Sequence, residues 1–95
     1  MKTRCIITSR SYNGDETYFR GKDIPCARLA PGRDLIAGLG LKDKAKVIEF
    51  TGEFLAFSWH GEEMAVPLDD QSYLLPDALT ADGQHVDVMI EFDEE

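Results

Sequence analysis

Two histidines, two cysteines, one aspartate pair and four serines are the side chains of this sequence with the types that could do chemistry. His60 and His85 could hold a metal or move a proton. They stand far apart, and neither has a Cys or His at ligand spacing, so no zinc signature exists. His60 falls in a predicted turn beside Trp59, and His85 opens a predicted strand; both read as exposed structural histidines rather than catalytic ones. Asp69-Asp70 could seed a cation site. Without further carboxylates at loop spacing, helix capping is the simpler role. Ser9, Ser11, Ser58 and Ser72 lack a nucleophile motif. Gly38-Leu39-Gly40 is a lone G-x-G that reads as a helix stop and not as a phosphate cradle. Cys5 and Cys26 sit among apolar or strand-like neighbours and read as two buried, reduced thiols. The expectation is a non-enzymatic protein with no catalytic, metal or cofactor-binding residues and no cofactor.

Binding, by contrast, is written into the charge. All ten basic residues lie in the first 46 positions. Met1 to Lys46 carries ten Lys and Arg against five Asp and Glu, a balance of +5. Val47 to Glu95 carries thirteen acids and no base, a balance of −13, and the whole chain has a net charge of −8. So sharp a split predicts a molecule with opposed faces and charged partners. Tyr12, Tyr18 and Phe19 lie among Arg10 and Arg20. Such interleaving suits single-stranded nucleic acid or a protein partner, and equally a hairpin whose aromatic side covers the core. On the acidic side, Glu62, Glu63, Asp69 and Asp70, with the tail residues Asp93, Glu94 and Glu95, could dock a basic surface. A charged terminus is also commonly just a solvated end.

The elements that must carry these residues form one small domain of 95 residues, in which 43% are hydrophobic, an ordinary globular share. Cys5-Ile6-Ile7 is too short for a signal segment or a membrane span, so Lys2 and Arg4 are expected on the surface of a cytoplasmic protein. Val47-Ile48-Glu49-Phe50 returns near the end as Val88-Met89-Ile90-Glu91-Phe92, with one residue added. Before the first copy come strand-like segments at Thr3 to Ser9 and Cys26 to Leu29. A short helix follows from Pro31 to Gly40, with Leu35, Ile36 and Leu39 on one face. Before the second come strands at Phe54 to Trp59 and Met64 to Leu68, turning at His60-Gly61. A helix containing Leu74, Leu75, Ala78 and Leu79 follows, which Pro76 either breaks or starts. The insert Arg10 to Asp23 holds a turn signal at Asn13-Gly14-Asp15 and an extra strand at Tyr18-Phe19-Arg20. Thr51-Gly52-Glu53 links the halves as a hairpin turn. The pattern strand, strand, helix, strand, given twice over residues 1–52 and 53–95, predicts a mainly β fold. Its form is a six-stranded barrel with two short helices. Leu35, Ile36, Leu39, Val47, Ile48, Phe50, Leu55, Phe57, Val88 and Ile90 are expected to supply most of the core, with imperfect alternation leaving either Val47 or Ile48 free to face out.

From Ile24-Pro25 to Ser58 the chain resembles the swapped-hairpin proteins of the AbrB-like superfamily, in its SymE-type branch. The matching residues are Ile24-Pro25, Leu35-Ile36-Ala37-Gly38-Leu39-Gly40-Leu41, Lys46-Val47-Ile48-Glu49-Phe50 and Gly52-Glu53-Phe54-Leu55-Ala56-Phe57. They cover about a third of the chain and are mostly apolar pattern. The helix region is longer than usual there and an acidic half follows it; that half is expected to replace the second chain from which the family builds its barrel. The resemblance implies a transcription regulator or antitoxin whose basic residues before the helix contact DNA. By position these are Arg4, Arg10, Arg20, Lys22 and Arg28. The thirteen carboxylates would repel phosphate unless they face away.

Three functions follow in order. The first is a non-enzymatic regulator or antitoxin-like inhibitor acting through charged faces. The second is an acidic inhibitor, a nucleic-acid mimic of the kind mobile elements encode, that blocks a basic host protein. The third is a small ligand-binding or enzymatic barrel. The expected partners are DNA or a basic protein, with no membrane, and the chain is a monomer or a homodimer.

Overall fold

Alternation of apolar and polar residues dominates the chain, and it folds accordingly. The computed structural model describes residues 3–11 and 19–94. Lys2, Tyr12, Tyr18, the Asn13-Gly14-Asp15 turn and Glu95 lie outside the described residues. Among the described residues seven strands run in order: β1 (Arg4–Ser11), β2 (Phe19–Pro25), β3 (Ala45–Phe50), β4 (Phe54–Trp59), β5 (Glu62–Pro67), β6 (Tyr73–Leu79) and β7 (His85–Asp93). They form two antiparallel sheets, one ordered β2-β1-β7-β6 and the other β3-β4-β5.

Period two decides which side chains meet. Along β1, Cys5, Ile7, Ser9 and Ser11 are buried, and along β7, Val86, Val88, Ile90 and Phe92 are. Leu55, Phe57 and Trp59 of β4 and Val66 of β5 face them from the second sheet, in one continuous core. Tight turns set the registers. His60 (φ 51°) and Gly61 (φ 80°) both take positive φ, the requirement of the two-residue hairpin that joins Trp59 to Glu62. The Thr51 hydroxyl accepts hydrogen bonds from the backbone N–H of Glu53 and of Phe54, fixing the β3–β4 turn where the Thr51-Gly52-Glu53 signal places it.

The expected mainly β class is observed; five finer expectations are corrected. The two sheets remain open and do not close into a six-stranded barrel. Neither short helix forms among the described residues. Over residues 31–40 the chain makes turns, because Gly32, Gly38 and Gly40 take left-handed φ values of 91°, 86° and 72°. The N–H groups of Gly32 and Leu35 bond instead to the carbonyls of Val47 and Ala45, along the edge of β3. Leu35, Ile36 and Leu39 are buried as expected, but from turns. The second expected helix is strand β6. Pro76 cannot donate in a helix interior, whereas an edge strand tolerates it at a bulge, and the β6–β7 register shifts between Leu75 and Ala78 around it. Cys26–Arg28, expected as a strand, is a 3₁₀ turn that begins where the Cys26 N–H makes its bond to the Thr3 carbonyl. Ile48 follows inward Val47 in the alternation of β3 and faces outward, so it leaves the expected core at 42% exposure; a second bulge there, between Val47 and Glu49, brings Glu49 to the same outer side.

Candidate functional site

Charge, rather than a catalytic cluster, marks the candidate surfaces. The basic residues divide by strand register. On β1, Arg4 and Arg10 point away from the core, on the outer face of the four-stranded sheet. The Arg4 guanidinium grips Asp23 with Nη2 to Oδ1 at 2.7 Å and Nε to Oδ2 at 3.1 Å. That pairing holds the Asp23 carboxyl below the usual carboxylate range. Arg28 is exposed on the 3₁₀ turn. Arg20 and Lys22 lie on β2, an edge strand, on the side opposite Asp23.

Two further cations join Arg20 and Lys22. The Lys22 ammonium donates to the Ala37 carbonyl at 2.7 Å, which ties β2 to the loop of residues 36–41. Partial burial and then the nearby Arg33 push the Lys22 amine down from its ordinary value. Arg33 lies on the segment bonded to β3, its carbonyl accepting from Val47 N–H, and its neighbour Asp34 bridges to Lys46. Arg20 and Lys22 therefore share one side of the β2 edge, with Arg33 near Lys22 on the segment that runs along β3, while Lys46 projects from the outer face of β3. Asp34, next to Arg33, is turned inward, its Oδ1 accepting from the N–H groups of Ile36 and Ala45. Arg33 and Lys46 were not among the sequence candidates. Nothing in a linear reading brings residue 33 beside residue 22, because the contact depends on the glycine turns.

The acidic candidates lie on the other edges. Glu62 and Glu63 start β5, the edge of its sheet opposite β3. Asp69 and Asp70 follow the far end of β5, in the turn that leads into β6; Asp93 and Glu94 end β7 at that same end of the fold. The structure thus gathers Asp69, Asp70, Asp93 and Glu94 and leaves Glu62 and Glu63 apart. Asp69 does not cap a helix. Its Oδ1 accepts from Gln71 N–H at 2.9 Å and its Oδ2 from the Tyr73 hydroxyl at 2.6 Å, which pushes the Tyr73 phenol up to about 12.

The chemistry-bearing residues occupy structural posts. His60 stacks on Trp59, with ring centroids 4.3 Å apart, and its Nε2 lies 2.7 Å from Asp43 Oδ1. The other oxygen of Asp43 accepts from Leu79 N–H at 2.8 Å, and the Trp59 indole N–H donates to the Pro76 carbonyl at 2.8 Å. Together these bonds join the end of β4 to β6 across the two sheets. Cys5 and Cys26 are buried free thiols. Burial, then the neighbouring Cys26, raises the Cys5 thiol to about 12. Among the described residues no group of His, Cys, Asp and Glu could hold a metal ion. A groove of about 540 Å³ opens at the β6 bulge, walled by residues 74–78 and 85–87, with His85, Asp77 and Asp87 as its charged or titratable side chains. Among the described residues no helix is long and apolar enough to cross a membrane. No protein family, curated protein or solved structure matches the chain.

Proposed function

We propose that the protein is a non-enzymatic binding protein that takes a nucleic-acid backbone along its basic β2–β3 edge, as a regulator or antitoxin-like inhibitor of the AbrB-like kind would. One observation carries this reading. Lys22 and Arg33 lie close together where the β2 edge meets the segment along β3, with Arg20 and Lys46 on the flanking strands, while the candidate carboxylates sit on β5 and at the ends of β6 and β7 away from it. A phosphate chain laid on that edge meets cations from both strands and stays clear of the candidate carboxylates.

The salt dependence of binding tests it. Four phosphate contacts give a slope of about −3.6 in log affinity against log salt, so a fourfold rise in salt weakens duplex binding by roughly 150-fold. Replacing any one of Arg20, Lys22, Arg33 and Lys46 with Gln lowers the slope by about 0.9. An affinity and slope left unchanged by all four substitutions end this reading.

A second reading, an acidic inhibitor that occupies the phosphate sites of a basic protein, is favoured by the grouping of Asp69, Asp70, Asp93 and Glu94 at one end. It predicts the opposite sensitivity: Asn or Gln at those four positions releases a basic partner, while the β2–β3 variants keep it.

A further inference from the structure

The outer face of the four-stranded sheet carries an ordered pattern that the basic-edge reading does not use. Register places Gly21, Thr8, Met89 and Leu74 in one row across all four strands. The next row holds Asp23, Ile6 and Glu91, closed by the Ser72 hydroxyl on Glu91 at 2.7 Å. Only the first row is a narrow apolar band, and it ends in Leu74 at 59% exposure; Phe19, at 57%, stands one row away on β2, level with Arg10. Charge flanks the band in columns. On β1 stand Arg4 and Arg10, and level with them on β7 stand Asp93 and Asp87.

We infer that this face is the interface of a symmetric homodimer, with a second copy of the chain packed sheet on sheet. The argument is self-complementarity. A twofold axis that runs parallel to the strands, midway between β1 and β7, sets β1 of one copy over β7 of the other at the same level. Arg10 then faces Asp87 of the second copy, and Arg4 faces Asp93 of the second copy. An axis across the strands would stack β1 on β1 and set Arg4 against Arg10, so the charges select the first arrangement. Leu74 and Phe19 lie toward opposite edges of the sheet, on β6 and β2. The same operation carries the β6 edge of one copy onto the β2 edge of the other, so Leu74 lies over Gly21 of the second copy, one row from that copy's Phe19.

Size sets the strength. Four strands spaced about 4.8 Å apart and about seven residues long at about 3.3 Å each give a face of roughly 19 by 23 Å. That is the low end for a specific interface, which predicts an association that depends on concentration.

The test is the mass of the full chain in solution, by sedimentation equilibrium from about 1 µM to about 1 mM. The wild-type chain moves from its monomer mass of 10.6 kDa to twice that value. Leu74→Glu, Arg10→Asp and Asp87→Arg each weaken the association by about tenfold or more, and the double reversal of Arg10 and Asp87 restores it. Circular dichroism shows the same β spectrum in every variant, since these side chains lie outside the core. A wild-type chain that stays monomeric throughout overturns the inference. So does a dimer indifferent to the single changes, and so does a double reversal that stays monomeric.

Discussion

Leu39→Ala is the substitution on which the account of the turn segment stands or falls. Leu39 is 2% exposed although it lies in a run of turns between Gly38 and Gly40. Its N–H bonds to the Ile36 carbonyl at 3.2 Å, and this same loop presents the Ala37 carbonyl that holds Lys22. Truncation takes the outer carbons of the side chain out of the core, at about 0.8 kcal/mol for each and roughly 2.4 kcal/mol together. A cavity that stays open adds about 24 cal/mol per Å³, or up to roughly 2 kcal/mol for the volume removed. The expected loss is therefore about 2.4–4.4 kcal/mol, toward the lower end if the glycine-flanked loop collapses inward. For a domain of this size that lowers Tm by about 10–30 °C. Urea denaturation followed by circular dichroism reads the free energy, with Lys44→Ala as the exposed control at less than about 0.5 kcal/mol. A Leu39→Ala cost below about 1 kcal/mol would show that the turn segment does not pack on the sheets, and the placement of Arg33 beside Lys22 would lose its support.

Three further outcomes can be checked directly. Asp43→Ala strands the Leu79 N–H and frees His60, at about 1–3 kcal/mol, while Asp43→Asn keeps an acceptor and costs less; equal losses in urea melts would mean that the shared acceptor is not what matters. Neither thiol should react with a thiol-specific chromogenic reagent in the folded protein at neutral pH, and both should react in denaturant; fast labelling of the native chain would contradict the buried positions of Cys5 and Cys26. Cys5 also sets a pH trend: its folded pKa of about 12 lies above the ordinary thiol value of 9.0, so its contribution is fully present below pH 9.0 and is lost as the pH rises toward 12. Over that window the unfolded chain binds fewer protons than the folded one. Stability measured by denaturant titration should fall with pH by up to about 1.4 kcal/mol per unit, with a shallower fall in Cys5→Ala.

What the sequence makes legible follows the physics of short range. Alternation over Thr3 to Ser9, Phe54 to Trp59 and Val88 to Phe92 reads correctly as strand, because period two is imposed by the backbone alone. The His60-Gly61 hairpin reads correctly for the same reason. The segment from Leu74 to Leu79 misleads: its apolar spacing fits a helical face, yet β7 offers it a ladder, and Pro76 is compatible with the ladder and not with the helix. The segment from Pro31 to Gly40 misleads in a subtler way. Its buried residues are named correctly, but a helix cannot accommodate left-handed Gly38 inside its last turn, and the edge of β3 supplies partners for its N–H groups. Ile48 faces outward by regular alternation after Val47, and the bulge that brings Glu49 to the same side has no signal in the sequence beyond a broken alternation. On the surfaces, the sign of each half is legible and the grouping is not. Arg20 and Lys22 share an edge by simple period two, but Arg33 and Lys46 reach it only through tertiary bonds.

The open sandwich also changes what the charge split can do. In a closed barrel of two repeated halves, bases and acids would divide into two lobes. Here each sheet draws strands from both halves: β1 and β2 sit with β6 and β7, and β3 sits with β4 and β5. The split is thereby turned into neighbouring columns of opposite sign within one sheet, Arg4 and Arg10 beside Asp93 and Asp87. The outermost edges are less evenly mixed: β2 and β3 present Arg20, Lys22 and Lys46 against Asp23 and Glu49, and β5 presents Glu62 and Glu63 with no base. Interleaved columns favour contact with an identical surface, because each copy offers both signs at matched levels. Edges where one sign predominates favour a partner of opposite charge. The topology therefore separates self-association from partner binding onto different surfaces of one small domain. Substitutions on the outer face should change mass without changing salt-dependent binding, and substitutions on the β2–β3 edge should do the reverse.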